Sequence, residues 1–227
     1  MKILIDDARI DVIKEIWNLY PMDGVTTNPS ILAKSGRHPY EVLKEIRAFI
    51  GNKAELHVQV ISDNTEGMVA EGRKIAEVLG MNTFIKIPSI PAGLKAMRIL
   101  SSEGYKITAT TIYTPIQAFL AAKAGADYAA PYLNRIDNLG SDGVSVTKKI
   151  QDIYNRSDMK TKILAASFKN TLQVQELCEY GVGAATVTPD VIENLMKNAS
   201  VTSALDVFTQ DFEKLCGKGK TMLDCDE

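Results

Sequence analysis

Residues 83–111 read TFIKIPSIPAGLKAMRILSSEGYKITATT. TFIKIP (83–88) and ITATT (107–111) are short, β-branched, strand-length runs. PAGLKAMRILSSEG (91–104), between them, carries an apolar stripe at Leu94, Met97 and Ile99–Leu100 and ends on Gly104, a suitable helix C-cap. The stretch is therefore a strand, a helix and a second strand.

The same alternation extends in both directions. Further strand candidates are KILID (2–6), VTTN (25–28), LHVQV (56–60), YAAPY (128–132), KILAAS (162–167) and ATVT (185–188). EGMVAEGRKIAEVLG (66–80) is another helix, and glycine recurs at helix-to-strand junctions as Gly80, Gly104, Gly125 and Gly181. Strict alternation of this kind specifies a parallel sheet covered by helices. Eight such units form either an open doubly wound sheet or a closed barrel. The open form usually carries a Gly-rich turn after an early strand, and none is present, so the expectation is a (β/α)8 (TIM) barrel over 1–199. Barrels of about 250 residues fold as one unit, which suits 227 residues. SVTSALDVFTQDFEKLC (200–216) is an extra helix with Val201, Leu205, Phe208 and Phe212 at helical spacing. This C-terminal helix (200–217) packs on its own barrel or on a neighbouring copy. Residues 218–227 read as a loose tail.

Composition excludes several classes. With a net charge of -2 and no long basic run, nucleic acid is not an expected partner. The apolar runs are too short for a membrane span. Acidic residues by position 6 argue against a signal peptide. Cys178, Cys216 and Cys225 are odd in number and lack CxxC spacing, which fits a cytoplasmic protein without a disulfide framework. His38 and His57 stand in no ligand pattern, so no metal is expected.

In such a barrel the active site lies at the C-terminal strand ends, and residues two apart share a face. The parity containing Lys86 points Asp6, Thr26 with Asn28, Gln59, Lys86, Thr110, Tyr132, Ser167 and Thr188 inward. Their neighbours Ile5, Val58, Ile85, Ile87 and Ala166 are apolar and suit the helix layer. Lys86 is the sharpest of these. A lysine desolvated inside an apolar strand has its pKa, ordinarily roughly 10.4, pushed down. The neutral amine can attack a ketone, and the iminium so formed withdraws electrons from the adjacent bond. The alternative is an edge lysine that snorkels to water.

Lys169 lies beyond the seventh strand end, where solvent keeps it charged, and is read as a surface or phosphate-steering residue. Arg135 presents a planar guanidinium suited to a phosphate monoester; its alternative is an ion pair with Asp137. Ser167 could add a hydroxyl, and the helix start at Pro189-Asp190 backbone N–H groups. His57, one layer deeper than Gln59, is read as a hydrogen-bonded core histidine.

Five stretches carry a resemblance across the whole chain: Gly24-Val25-Thr26-Thr27-Asn28-Pro29-Ser30, Glu66-Gly67-Met68, Ile85-Lys86-Ile87-Pro88, Ala130-Pro131-Tyr132 with Asn134-Arg135-Ile136-Asp137, and Leu164 through Lys169. Together they resemble the small transaldolase family. The resemblance implies a Schiff-base lysine at Lys86, proton transfer at the substrate C4 hydroxyl by Asp6, and a hydrogen bond from Asn28 to the dihydroxyacetone portion. It implies that Gln59, Thr110 and Tyr132 hold a proton-shuttling water, and that Arg135 and Ser167 hold the phosphate; Thr26 and Asn134 join the substrate-binding set. It implies sugar-phosphate and small hydroxyketone substrates, no metal or organic cofactor, and a decamer of two pentamers clasped by the C-terminal helix. Gln59 and Tyr132 resemble the aldolase branch, which cleaves fructose 6-phosphate, whereas transaldolases usually carry Glu and Phe there. Transaldolase activity, and a non-catalytic phosphosugar-binding barrel, are the competing expectations.

Overall fold

The computed structural model describes residues 1–225; the last two residues of the expected tail lie outside the described residues. Eight parallel strands close into a barrel in sequence order. They are β1 (Lys2–Asp6), β2 (Gly24–Thr26), β3 (Glu55–Gln59), β4 (Thr83–Pro88), β5 (Lys106–Ile112), β6 (Tyr128–Pro131), β7 (Lys162–Ala165) and β8 (Ala184–Val187). β8 pairs back onto β1 through Leu4 opposite Thr186, so the expected (β/α)8 barrel is the fold.

Helices follow the strands: α1 (Ile10–Leu19), α2 (Pro29–Lys34), α3 (Pro39–Ile50), α4 (Thr65–Leu79), α5 (Pro91–Ser102), α6 (Pro115–Lys123), α7 (Leu133–Asp137), α8 (Gly143–Arg156), α9 (Thr171–Tyr180), α10 (Pro189–Met196) and α11 (Ala199–Cys216). Their starts are written locally. Asn28, Asn64, Asp142 and Asn170 each accept an N–H from the first turn of the helix they precede, and Thr114 forms a capping box with Gln117. These caps satisfy amides that would otherwise lack partners.

Two compact units divide the chain, Met1–Ile192 and Glu193–Glu227. The first is the barrel. Its outward strand residues, among them Ile5, Val25, Leu56, Ile85, Ile87, Ile107 and Ile163, have no exposed surface and meet the helix layer. In the second unit, α11 has no buried residue; Val201, Leu205 and Phe208 are exposed. The described part of the tail contains a short 3-10 turn, Met222–Asp224.

The barrel interior is layered. Leu4, Phe84, Tyr128, Ala130, Leu164 and Ala184 form an apolar cluster in its lower part. His57 stacks on Phe84 with ring centroids 4.4 Å apart, and Phe84 meets Tyr128 edge-on at 5.3 Å. His57 is fully buried between Thr108 Oγ1 at 2.8 Å and Glu55 Oε2 at 3.2 Å, as a core histidine should be. Desolvation lowers its pKa to about 4, so the ring is neutral near neutral pH. This aromatic plug closes the barrel from below.

Several strands stop short of the sequence expectation. β2 ends at Thr26 because Asn28 turns to cap α2, and β7 ends at Ala165 because Ser167 adopts φ 64. Between Ala109 and Ile112, β5 takes three steps against two on β6, with Thr111 at φ 57 in the resulting bulge. Gly93 lets α5 approach the end of β4: a Cβ there would sit 1.9 Å from the Pro88 carbonyl oxygen. That contact holds the strand end just beyond Lys86.

Candidate active site

Above the plug, a cavity of about 880 Å³ opens at the C-terminal ends of the strands. It is lined by Asp6, Asn28, Gln59, Lys86, Tyr132, Arg135 and Ser167 among the expected residues. Thr188, from the inward set, and Lys169 also line it.

Lys86 is only 5% exposed. Its Nζ donates to the Thr27 carbonyl oxygen at 2.7 Å. Desolvation lowers its pKa from the ordinary lysine value, and the charge of Asp6 partly opposes this. The snorkelling alternative therefore fails, since the amine does not reach bulk water. Register places Gln59 directly beside Lys86 on β3 and Thr108 beside it on β5.

Asp6 ends β1, and its Oδ1 accepts the Thr26 hydroxyl at 2.7 Å. Thr26 in turn lies 2.5 Å from Thr186 Oγ1. Burial raises the Asp6 pKa; Lys86 and the Thr26 hydrogen bond pull against it. Two groups of opposite charge type are thus both pushed toward their neutral forms in one cavity, a common condition at catalytic sites.

Tyr132 shares a hydrogen bond of 2.6 Å with Thr110, and burial raises its pKa. Its ring carries the Arg135 guanidinium 4.6 Å above the centroid. Arg135 also donates to the Tyr113 hydroxyl at 3.5 Å. Asp137, the alternative partner for Arg135, is instead bound to the Gly143 N–H at 2.8 Å and to Gln173 Nε2 at 3.0 Å. Gln59 Oε1 is buried without a protein hydrogen-bond partner. Asn28 spends its Oδ1 on the Ile31 N–H, which leaves its amide donors for the cavity.

Three expected residues do not line the cavity. Thr26 hydrogen-bonds Asp6 and Thr110 hydrogen-bonds Tyr132, so each touches a residue that does line it. Asn134 contributes a backbone N–H to the Ser167 carbonyl at 3.0 Å, a bond that holds the positive-φ turn. The cavity also includes residues that strand parity missed. Asp7, past the end of β1, is clamped by Arg9 through Nη2 at 2.7 Å and stays ionised. Arg9, Lys34, Thr111 and Asp190 complete the rim. Arg9 lies on a loop, Asp190 in the first turn of α10, Lys34 at the end of α2 and Thr111 in the bulge of β5, where the strand period does not apply; the proximity of Asp7 and Arg9 to Asp6 was the one available signal.

Comparison with known proteins agrees with this geometry. The family described as Transaldolase/Fructose-6-phosphate aldolase matches residues 3–224. A probable fructose-6-phosphate aldolase of Streptococcus pneumoniae is 43% identical over 213 residues, 93% of this chain and 96% of the relative. A probable transaldolase of Hydrogenobaculum sp. is 39% identical over 218 residues, covering 96% and 99% of the two chains. One of Nitrosopumilus maritimus is 37% identical over 216 residues, covering 95% and 96%. The chain, an eight-stranded barrel with a buried lysine at its mouth, belongs to the transaldolase/fructose-6-phosphate aldolase family.

Proposed function

We propose that the protein is a Schiff-base aldolase that cleaves fructose 6-phosphate to dihydroxyacetone and glyceraldehyde 3-phosphate, and forms it in reverse. The observation that carries this reading is the desolvated Nζ of Lys86 facing a cavity lined also by the half-buried Asp6, whose carboxyl is pushed above the usual carboxylate range by desolvation. Neutral Lys86 attacks C2 of the open-chain ketose, and loss of water gives the iminium. Asp6 takes the C4 hydroxyl proton, the C3–C4 bond breaks toward the iminium, and glyceraldehyde 3-phosphate leaves. The enamine is protonated at C3, and hydrolysis frees dihydroxyacetone and Lys86.

The remaining residues divide by their chemistry. Asn28 donates to the dihydroxyacetone hydroxyls. Gln59 Oε1 is an acceptor for a hydroxyl or a water shared with Thr110 and Tyr132. Arg135, Ser167 and the start of α10 hold the phosphate. Thr26 fixes Asp6.

Transfer of the enamine to a second aldehyde is the other reading, favoured by the names of the Hydrogenobaculum and Nitrosopumilus relatives. Tyr132 and its bond to Thr110 support cleavage, because a phenol near the enamine carbon supplies the proton that ends the reaction before an acceptor can enter. Product analysis on fructose 6-phosphate alone, then with erythrose 4-phosphate, decides between them. Free dihydroxyacetone without acceptor supports the aldolase; release only of transfer product supports the transaldolase. A Lys86→Ala protein that still forms a borohydride-trapped adduct would overturn both.

The exposed apolar residues of α11 favour a homo-oligomer in which the helix clasps a neighbouring copy, with a decamer of two pentamers as the expected state. Cysteine usage favours the cytoplasm. Mass measurement of the native assembly tests the first of these.

A further inference from the structure

The barrel has a second open end, beneath the aromatic plug. Strand parity carries one layer of side chains to it. Lys2 and Lys162 lie two residues below Leu4 and Leu164 of the interior cluster. Glu55 and Lys106 lie two below His57 and Thr108, which meet inside the barrel. A period of two keeps each pair on one face, so the N-terminal mouth gathers three lysines and a glutamate. They line a cavity of about 380 Å³, with Phe84 and Tyr128 above them and Asp127 and Lys160 at the rim. Ligand sites commonly enclose roughly 300–1,000 Å³.

The charges of this cavity do not cancel. Glu55 is already engaged: it accepts Lys2 Nζ at 2.5 Å, the Tyr128 hydroxyl at 3.2 Å and the His57 ring N–H at 3.2 Å. Asp127 accepts the Ile107 N–H at 2.7 Å. Lys106 reaches only a neutral partner, Asn82 Oδ1 at 3.1 Å, and passes 5.3 Å from the Phe84 ring centroid. Lys160 and Lys162 form no ion pair or side-chain hydrogen bond among the described residues. Four ammonium groups therefore face two carboxylates, on a chain whose net charge is -2. A cleft of one sign walled by protein concentrates small ions of the other. β6 separates β5 from β7, so Lys106 and Lys162 stand two strand spacings apart, about 10 Å, on either side of Tyr128, which pairs with Lys162 in register.

We propose that this lower cavity is a second ligand site, for a small phosphate-bearing anion held between Lys106 and Lys162, with Lys160 as a third cation at the rim. The site lies across the plug from Lys86 and is independent of the reaction proposed for the upper cavity.

Calorimetric titration of the full chain with inorganic phosphate and with pyrophosphate tests this. Arg135 offers a phosphate contact in the upper cavity, so the titrations use R135A as the background. Expected is saturable binding of either anion, weakened by about 10-fold or more when K106M and K162M are added together. K162M alone, at an exposed position, should show part of that loss, which keeps the test decisive if the double change impairs folding. K44M/K149M removes two exposed lysines elsewhere and should leave binding unchanged. Absence of binding in R135A, undiminished affinity after K106M and K162M, or an equal loss with K44M/K149M would each overturn the proposal.

Discussion

The Nζ of Lys86 ends on the carbonyl oxygen of Thr27, 2.7 Å away, while Asp6 acts on it as a charge and not as a hydrogen-bond partner. The amine is positioned by backbone and tuned by carboxylate. Removing the carboxylate therefore changes its protonation without releasing its position.

Asp6→Asn tests that separation. Loss of the negative charge disfavours the ammonium form, so the acid limb of borohydride trapping should move to lower pH. Turnover of fructose 6-phosphate should fall by about 10²–10⁴-fold, the usual range for a lost acid–base group. A limb that moves to higher pH would refute the electrostatic assignment.

Lys86→Met should abolish both trapping and turnover while leaving a folded barrel. Because the folded-state pKa is lowered, the native protein at neutral pH bears a desolvation cost that the unfolded chain does not. That cost is full below the folded pKa and is relieved as pH rises through it toward the ordinary lysine value. The methionine variant should accordingly be more stable at pH 7, by about 0.5–2 kcal/mol, as read from urea midpoints.

Tyr132→Phe removes the hydroxyl that bonds Thr110 and leaves the ring under Arg135. Release of free dihydroxyacetone should drop by about 10²-fold, and the yield of transfer product with erythrose 4-phosphate should rise relative to it. Chromatography of both products measures the ratio; an unchanged ratio would remove Tyr132 from proton delivery.

Arg135→Ala should raise KM for fructose 6-phosphate by about 10- to 150-fold, the value of a charge-assisted hydrogen bond of roughly 1.5–3 kcal/mol. Addition of dihydroxyacetone to an unphosphorylated aldehyde should change little. Parallel loss on both substrates would mean that Arg135 matters only as the cover of Tyr132.

The plug beneath the site sets an acid limit. His57 titrates near 6.5 when unfolded and at about 4 when folded, so the unfolded chain binds more protons between those values. Stability should decline as pH falls from about 6.5 to about 4. Glu55, lowered from 4.5 to about 2 by hydrogen bonds from His57 and Lys2 against an opposing desolvation, extends the loss below pH 4.5. His57→Gln should flatten the upper part of this slope in urea titrations, at a lower stability at pH 7.

Strand parity located the interior face because the barrel strands keep a strict period of two through Ile5–Asp6, Val58–Gln59 and Ile85–Lys86. The rule lapses where the backbone leaves that period. Thr111 bulges, Ser167 crosses to positive φ, and Asn28 turns to cap α2. Asp7 and Arg9 reach the cavity from a turn, so their side-chain directions follow from the fold and not from spacing. Arg135 was legible as a cation at the barrel mouth, but its stacking on Tyr132 joins residues three apart across a strand-to-helix turn that composition does not describe.

The stack of His57, Phe84 and Tyr128 has a kinetic consequence. With the floor of the vessel shut, the ketose, departing aldehyde, incoming aldehyde and hydrolytic water of the proposed reaction share one doorway. In that reaction, whichever species crosses the threshold first after carbon–carbon cleavage decides the product, so traffic at a single entrance would govern whether the three-carbon fragment is discharged or handed on.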